Sequence, residues 1–181
     1  MHSNLSIRDG DAAELARLGQ LLVKVYAALP GFPKPGEQPA YYDLLANIAR
    51  FADKPGARVL VALSGEGEVV GGVVYFADMA HYGSGGTATT LKNASGIRLL
   101  GVDPECRGKG VGKALTLACI ELARQGAHAE VILHTTKAMP EAWAMYERLG
   151  FVRSEELDFL QQEMTVFGFR LKLTDGAAAV R

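Results

Sequence analysis

Residues 107–113, Arg-Gly-Lys-Gly-Val-Gly-Lys, offer the clearest chemistry in this chain of 181 residues. Their three glycines can take positive φ and bring bare backbone close to a ligand. Arg107, Lys109 and Lys113 add full positive charges. The loop follows an apolar run, Ile97 to Val102, and enters a long helical pattern. A helix leaves its first backbone N–H groups unpaired and carries partial positive charge at its start, so such a loop collects phosphate oxygens. The stretch reads as a pyrophosphate cradle.

Two glycine motifs fail here letter by letter. A Walker A loop ending at Gly112-Lys113 requires glycine where Arg107 stands and Ser or Thr where Ala114 stands. A dinucleotide fingerprint starting at Gly108 requires glycine at Lys113. What remains is R-x-x-G-x-G, preceded by Val102-Asp103-Pro104 and followed by a helix. Downstream, Glu130 to His134 reads as a buried strand, Pro140 to Leu149 as a helix, and Ala142 to Phe151 spells AWAMYERLGF. Together these segments resemble the coenzyme A loop and the second signature of the GCN5-related N-acetyltransferase (GNAT) family. The resemblance covers residues 97–151 by motif and the rest only by the order of its elements.

That resemblance implies an α/β (α+β) fold: a mixed, mostly antiparallel central sheet of about six to seven strands with about four helices and a splayed parallel pair at its centre. It implies acetyl-CoA as co-substrate and no metal. Strands 97–102 and 130–134 would part, and the pantetheine arm would insert between them. Backbone groups of Leu100 and Val102 would pair with that arm, and an N–H there would polarise the thioester carbonyl. Arg107, Gly108, Lys109, Gly110, Val111, Gly112 and Lys113 would hold the pyrophosphate, mostly by main-chain N–H groups.

Acetyl transfer to an amine needs two proton events: the amine must lose one and the leaving thiolate must gain one. The family's usual donor to the thiolate is the tyrosine of the second signature, which matches Tyr146. A phenol with pKa of about 10 is protonated at neutral pH. The same residue also suits plain packing, since Ala142, Tyr146 and Leu149 share a helix face, and the two roles are compatible. The family often has asparagine seven residues before this tyrosine; Met139 stands there. No carboxylate lies in 97–102, so Asp78, His81 and His134 are the candidates for a general base, with a water chain as the alternative. Cys106 sits beside the phosphate loop, away from the thioester, which favours direct transfer over an acyl-cysteine. Trp143, Tyr26, Phe32, Tyr41 and Tyr42 read as core or pocket wall.

The elements that must position these groups follow the chain. About half the residues are apolar and the length suits one buried core, so a single domain over 1–174 is expected, with 175–181 as a disordered tail. Leu5 to Arg8 alternates as a strand, and Asp9-Gly10-Asp11 ends it with a helix cap. Leu15, Leu18, Leu22, Val25 and Leu29 line one face of a helix over 12–29. Residues 30–39 hold four of the seven prolines, a stiff loop before a second helix from Ala40 to about Asp53. Two β-rich runs, 57–64 and 68–78, form a hairpin around Gly65-Glu66-Gly67, with Gly71-Gly72 marking a bulge or a close backbone approach. Residues 79–96 read as a mobile loop, a candidate lid. The third helix buries Val111, Ala114, Leu115, Ala118 and Leu122, widened by Leu117 and Ile120. Parallel pairing is predicted between 97–102 and 130–134. Residues 151–153 and 165–173 close the sheet, joined by an acidic stretch.

Nineteen basic against twenty acidic residues give a net charge of -1, too small a field to gather nucleic acid or an anionic membrane. No apolar run reaches bilayer length and no signal peptide is recognised. Cys106 and Cys119 have no metal spacing and fit a reducing cytoplasm. The expected activity is N-acetyl transfer from acetyl-CoA to a small-molecule or peptide amine; the resemblance adds that homodimers are common. Two rivals are an acyl-CoA-binding regulatory domain without turnover and a structural domain whose loop binds nothing.

Overall fold

A computed structural model describes residues 4–173, so the expected tail at 175–181 lies outside the described residues. The chain divides into two compact units, one of residues up to 75 with 99–118, the other of 76–98 with 119 onwards.

In the first unit β1 (Ser6–Asp9) pairs antiparallel with β2 (Ala57–Leu63), Ser6 opposite Leu63. Helix α1 (Ala12–Ala27) opens on a capping box: Glu14 N–H donates to the Asp11 carboxylate at 2.8 Å and Asp11 N–H donates to the Glu14 carboxylate at 2.9 Å. Its predicted face is buried at Leu15, Leu18, Leu22 and Val25, whereas Leu29 falls beyond the helix and is half-buried. The second helix is shorter than expected. α2 (Pro39–Ala46) stops at Asn47, whose side chain donates to the Asp43 carbonyl at 2.9 Å, and a 3-10 turn, Ile48–Asp53, takes over. A short amide side chain competing for a helix's own carbonyls is a sound reason for that break.

The hairpin between β2 and β3 (Val69–Phe76) closes as predicted, with Ser64 N–H donating to the Glu68 carbonyl at 2.9 Å. Gly71 and Gly72 mark a close approach: a Cβ on Gly72 would sit 2.4 Å from the Leu18 side chain, and one on Gly71 2.9 Å from the Gly101 carbonyl oxygen.

β4 (Ala94–Val102) and α3 (Val111–Gln125) each contribute residues to both units. β4 starts earlier than the predicted strand, because Ala94, Ser95 and Gly96 are a buried strand written in small residues. The size is imposed by packing: a Cβ on Gly96 would lie 2.8 Å from the Met79 sulfur. The mobile-loop reading of 79–96 is therefore corrected. Met79, Tyr82 and Ala88 are buried, and short 3-10 turns span Met79–His81 and Ala88–Thr90. The buried face of α3 is Val111, Leu115, Cys119 and Ala123 with Ile120; Ala114, Ala118 and Leu122 are half-buried, and Leu117 is exposed.

In the second unit β4 pairs parallel with β5 (Glu130–Thr135), from Ala94 opposite Glu130 to Ile97 opposite Leu133. The predicted parallel pair is present, with its register set by the first half of β4. After α4 (Pro140–Arg148), β6 (Val152–Arg153), β7 (Phe159–Gln161) and β8 (Met164–Lys172) complete the sheet. β8 runs antiparallel to β5, β6 and β7. Strand order is β1-β2-β3-β4-β5-β8-β6, with β7 paired to β8 off that path. β7 is a strand beyond the expected six or seven and lies inside the acidic connection expected to be irregular; its three residues are too few to show a period.

Candidate active site

The glycine loop is built from its entry inward. The Asp103 carboxylate accepts the Glu105 N–H at 2.9 Å and starts a 3-10 turn, Pro104–Cys106, that carries the chain out of β4. Gly108 and Gly110 then adopt φ of +78° and +80°. Single left-handed residues of this kind between right-handed neighbours turn successive N–H groups toward one concavity, which binds anions. The first bond of α3 is Ala114 N–H to the Gly110 carbonyl at 3.0 Å. Among the described residues the amides of 108–113 donate to no partner. Arg107, Lys109 and Lys113 are exposed and enter none of the described ion pairs. A Cβ added at Gly108 or Gly110 would meet nothing within 4 Å, so the space over the loop is open. Gly112 is already helical and lends its carbonyl to the Thr116 hydroxyl at 2.8 Å. Unpaired amides, open space and three cations fit a diphosphate.

Leu100 and Val102 sit on the strand feeding the loop, and the structure tells which edge their backbones address. Asp103 N–H donates to the Val70 carbonyl at 2.8 Å, and the Gly101 carbonyl lies against Gly71, so odd-numbered residues here face β3. Along an extended strand alternate residues point their N–H and C=O to opposite edges. Leu100 and Val102 therefore share the edge directed away from β3. Just before them Leu99 has φ of +60°, a left-handed leucine within a strand. The Leu100 carbonyl accepts the Tyr26 hydroxyl at 2.9 Å. Sequence reasoning placed Tyr26 in core or pocket wall and missed this bond, which no local pattern announces.

Tyr146 lies on α4 in the second unit, 5% exposed, with its ring 5.8 Å from Phe151 in an edge arrangement. Burial pushes its phenol well above the ordinary tyrosine range, with nearby Cys119 adding to the rise. Its hydroxyl has no hydrogen-bond partner among the described residues. The group is a neutral donor throughout the physiological range. Met139, in the place where the family often has asparagine, receives a weak bond from the buried Thr135 hydroxyl at 3.8 Å.

The three candidate bases fare differently. His134 donates from Nε2 to the Leu157 carbonyl at 2.8 Å, which makes Nδ1 the acceptor for the Tyr82 hydroxyl at 3.0 Å. Burial lowers its pKa most, opposed by the Leu157 carbonyl. Both ring nitrogens are used, so His134 has no lone pair to spare for an incoming amine. Asp78 caps Ala80 N–H at 2.9 Å and stands 3.9 Å from His81 Nε2; both are at least partly exposed on the turn after β3. Trp143 stacks edge-on against Phe167 and Phe169 at 5.1 and 5.0 Å, a packing role. Cys106 is half-buried in the turn before the loop.

A family model described as Acetyltransferase (GNAT) family matches residues 22–151. The chain is 35% identical, over 70% of its length, to 36% of a mycothiol acetyltransferase from Arthrobacter sp. (strain FB24). It is 37% identical over 33% of its length to 26% of N-acetyltransferase 8B from Homo sapiens. The chain thus spans about a third or less of these curated relatives. Among solved structures it is similar to the PaiA N-acetyltransferase of Thermoplasma acidophilum in complex with coenzyme A, with TM-score 0.71, 15% identity, and coverage of 94% of this chain and 99% of that one. A phosphinothricin acetyltransferase from Sinorhizobium meliloti in complex with AcCoA matches with TM-score 0.65, 21% identity, and coverage of 98% and 92%.

Proposed function

The chain belongs to the acetyltransferase (GNAT) family, and from that premise we propose that it moves an acetyl group from acetyl-CoA to a primary amine by direct transfer in a ternary complex. The observation that carries this reading is the run of unpartnered amides at 108–113 beneath open space, flanked by Arg107, Lys109 and Lys113. They bind the diphosphate; full charges on three flexible side chains add attraction without fixing geometry. The backbones of Leu100 and Val102, presented on one edge of β4, orient the pantetheine arm, and the Leu100 N–H polarises the carbonyl under attack. Acetyl-CoA, when bound, supplies an activated acyl thioester.

Tyr146 holds the other proton. Its burial keeps the phenol protonated, and its unpartnered hydroxyl donates to the sulfur as that atom takes up negative charge. Removing the amine's own proton is left to water, because the ring nitrogens of His134 are committed to Tyr82 and Leu157. The acceptor is a small molecule or peptide carrying the amine. Titration calorimetry with acetyl-CoA tests the first half of this reading: no binding heat would refute it. Thiol release across a panel of small amines and peptides tests the second; binding without release from any amine would leave only a cofactor-binding domain.

A further inference from the structure

Leu100 presents both its backbone groups on the edge of β4 turned away from β3, and that edge is irregular because Leu99 is left-handed at φ +60°. A leucine stays in that conformation only when its surroundings hold it there. Three contacts from elsewhere in the first unit fasten the residues that follow it, Leu100 to Asp103. The Leu22 side chain packs so closely on Gly101 that a Cβ there would lie 2.5 Å away. Asp103 N–H is tied to the Val70 carbonyl at 2.8 Å. The third contact is the Tyr26 hydroxyl, which reaches from the last turn of α1 to the Leu100 carbonyl at 2.9 Å. The ring delivering it is 4% exposed and wedged against Phe32 at 5.4 Å and Tyr41 at 6.1 Å, so the hydroxyl is fixed.

We propose that Tyr26 is a positioning residue for the acyl donor: by holding the Leu100 carbonyl it fixes the tilt of the bulged strand and so aims the Leu100 N–H at the thioester oxygen. The inference rests on the acyl-CoA reading above and adds a residue that neither the glycine loop nor the second signature contains. Loss of the hydroxyl leaves the diphosphate grip intact, since residues 107–113 make no described bond to Tyr26. It frees the Leu100–Gly101 peptide plane to turn, and the strand tilt that aims the neighbouring Leu100 N–H, carried by the Leu99–Leu100 peptide, is no longer held.

The test compares Tyr26→Phe with Tyr42→Phe, a matched control. Tyr42 donates to the Pro33 carbonyl at 2.7 Å within the same aromatic cluster and touches no residue of β4 in the described bonds. The probe is acetyl-CoA labelled with carbon-13 at the acetyl carbonyl, read by isotope-edited infrared spectroscopy on the whole protein, with coenzyme A affinity measured by calorimetry. Wild type and Tyr42→Phe are expected to show the thioester band displaced to lower frequency on binding. Tyr26→Phe is expected to bind coenzyme A within about twofold of wild type, a small change on the affinity scale, while its band returns toward the free position. A wild-type displacement in Tyr26→Phe, equal loss in both variants, or no displacement in wild type with cofactor bound would each overturn the proposal. If wild type binds no coenzyme A at all, the acyl-CoA reading fails instead.

Discussion

Gly110 allows the pyrophosphate assignment to be tested with the backbone and the charge separated. Its φ of +80° is costly for any residue with a Cβ, about 1–2 kcal/mol, and an added Cβ would meet nothing within 4 Å, so Gly110→Ala carries that strain and no clash. Gly110→Asp carries the same strain plus a negative charge. If a diphosphate sits over these amides at about 5 Å, the added repulsion is about 1 kcal/mol in water-like dielectric and about 3 kcal/mol at an effective value near 20. That corresponds to about a 5- to 150-fold loss of affinity, toward the lower end because the loop is exposed. The assay is calorimetric titration of both variants with coenzyme A at two salt concentrations, alongside thermal unfolding. Both variants should lose the same stability, the aspartate alone should lose further affinity, and the gap should narrow as salt shortens the screening length to about 10 Å at 0.1 M. An aspartate variant binding as tightly as the alanine variant at low salt would show that no phosphate approaches these amides.

Tyr146→Phe should lower the transfer rate at least about tenfold while acetyl-CoA affinity and thermal stability barely move, because the lost hydroxyl has no hydrogen-bond partner among the described residues and the ring's contact with Phe151 survives; unchanged turnover would remove Tyr146 from the chemistry. Since burial raises that phenol, the rate should also show no alkaline decline attributable to Tyr146 below about pH 10, and a titration near neutrality that vanishes in the phenylalanine variant would contradict the assignment. His134 is held neutral in the fold with its pKa lowered, so below its unfolded value of about 6.5 the unfolded chain binds the extra proton. Urea unfolding should therefore show stability falling from pH 7.5 to 5.5 in wild type and a flatter profile in His134→Gln; parallel profiles would argue against it. Gly19→Ala would place a Cβ 2.4 Å from the Ala46 carbonyl oxygen, a backbone atom that cannot step aside, so about 1–3 kcal/mol of stability should be lost by denaturant titration, and a neutral result would mean α1 and α2 are not in such close contact.

What was legible in the sequence divides along physical lines. Local signals survive into the structure: Asp11 caps α1, Gly110 and Gly108 take the positive φ that their loop requires, and the β-rich apolar run at 57–63 is a strand. Features imposed from a distance do not appear in local pattern. Ala94-Ser95-Gly96 looks like loop because it is a strand of small residues, with Met79 leaving no room for a Cβ at Gly96, and such a strand has the composition of a turn. α3 is amphipathic, yet which of two adjacent stripes is buried depends on what packs against it, so the apolar pattern points Leu117 inward while the fold leaves it exposed. The site shows the same division. The loop's types and spacing propose an anion cradle by themselves, because the groups that would bind are the loop's own backbone. The bond from Tyr26 to Leu100 spans 74 positions and depends on a hydroxyl at the end of a helix meeting a carbonyl just past a left-handed leucine. A phosphate cradle can thus be proposed letter by letter, whereas a contact that would aim the reacting carbonyl is a property of the assembled fold and has to be found there.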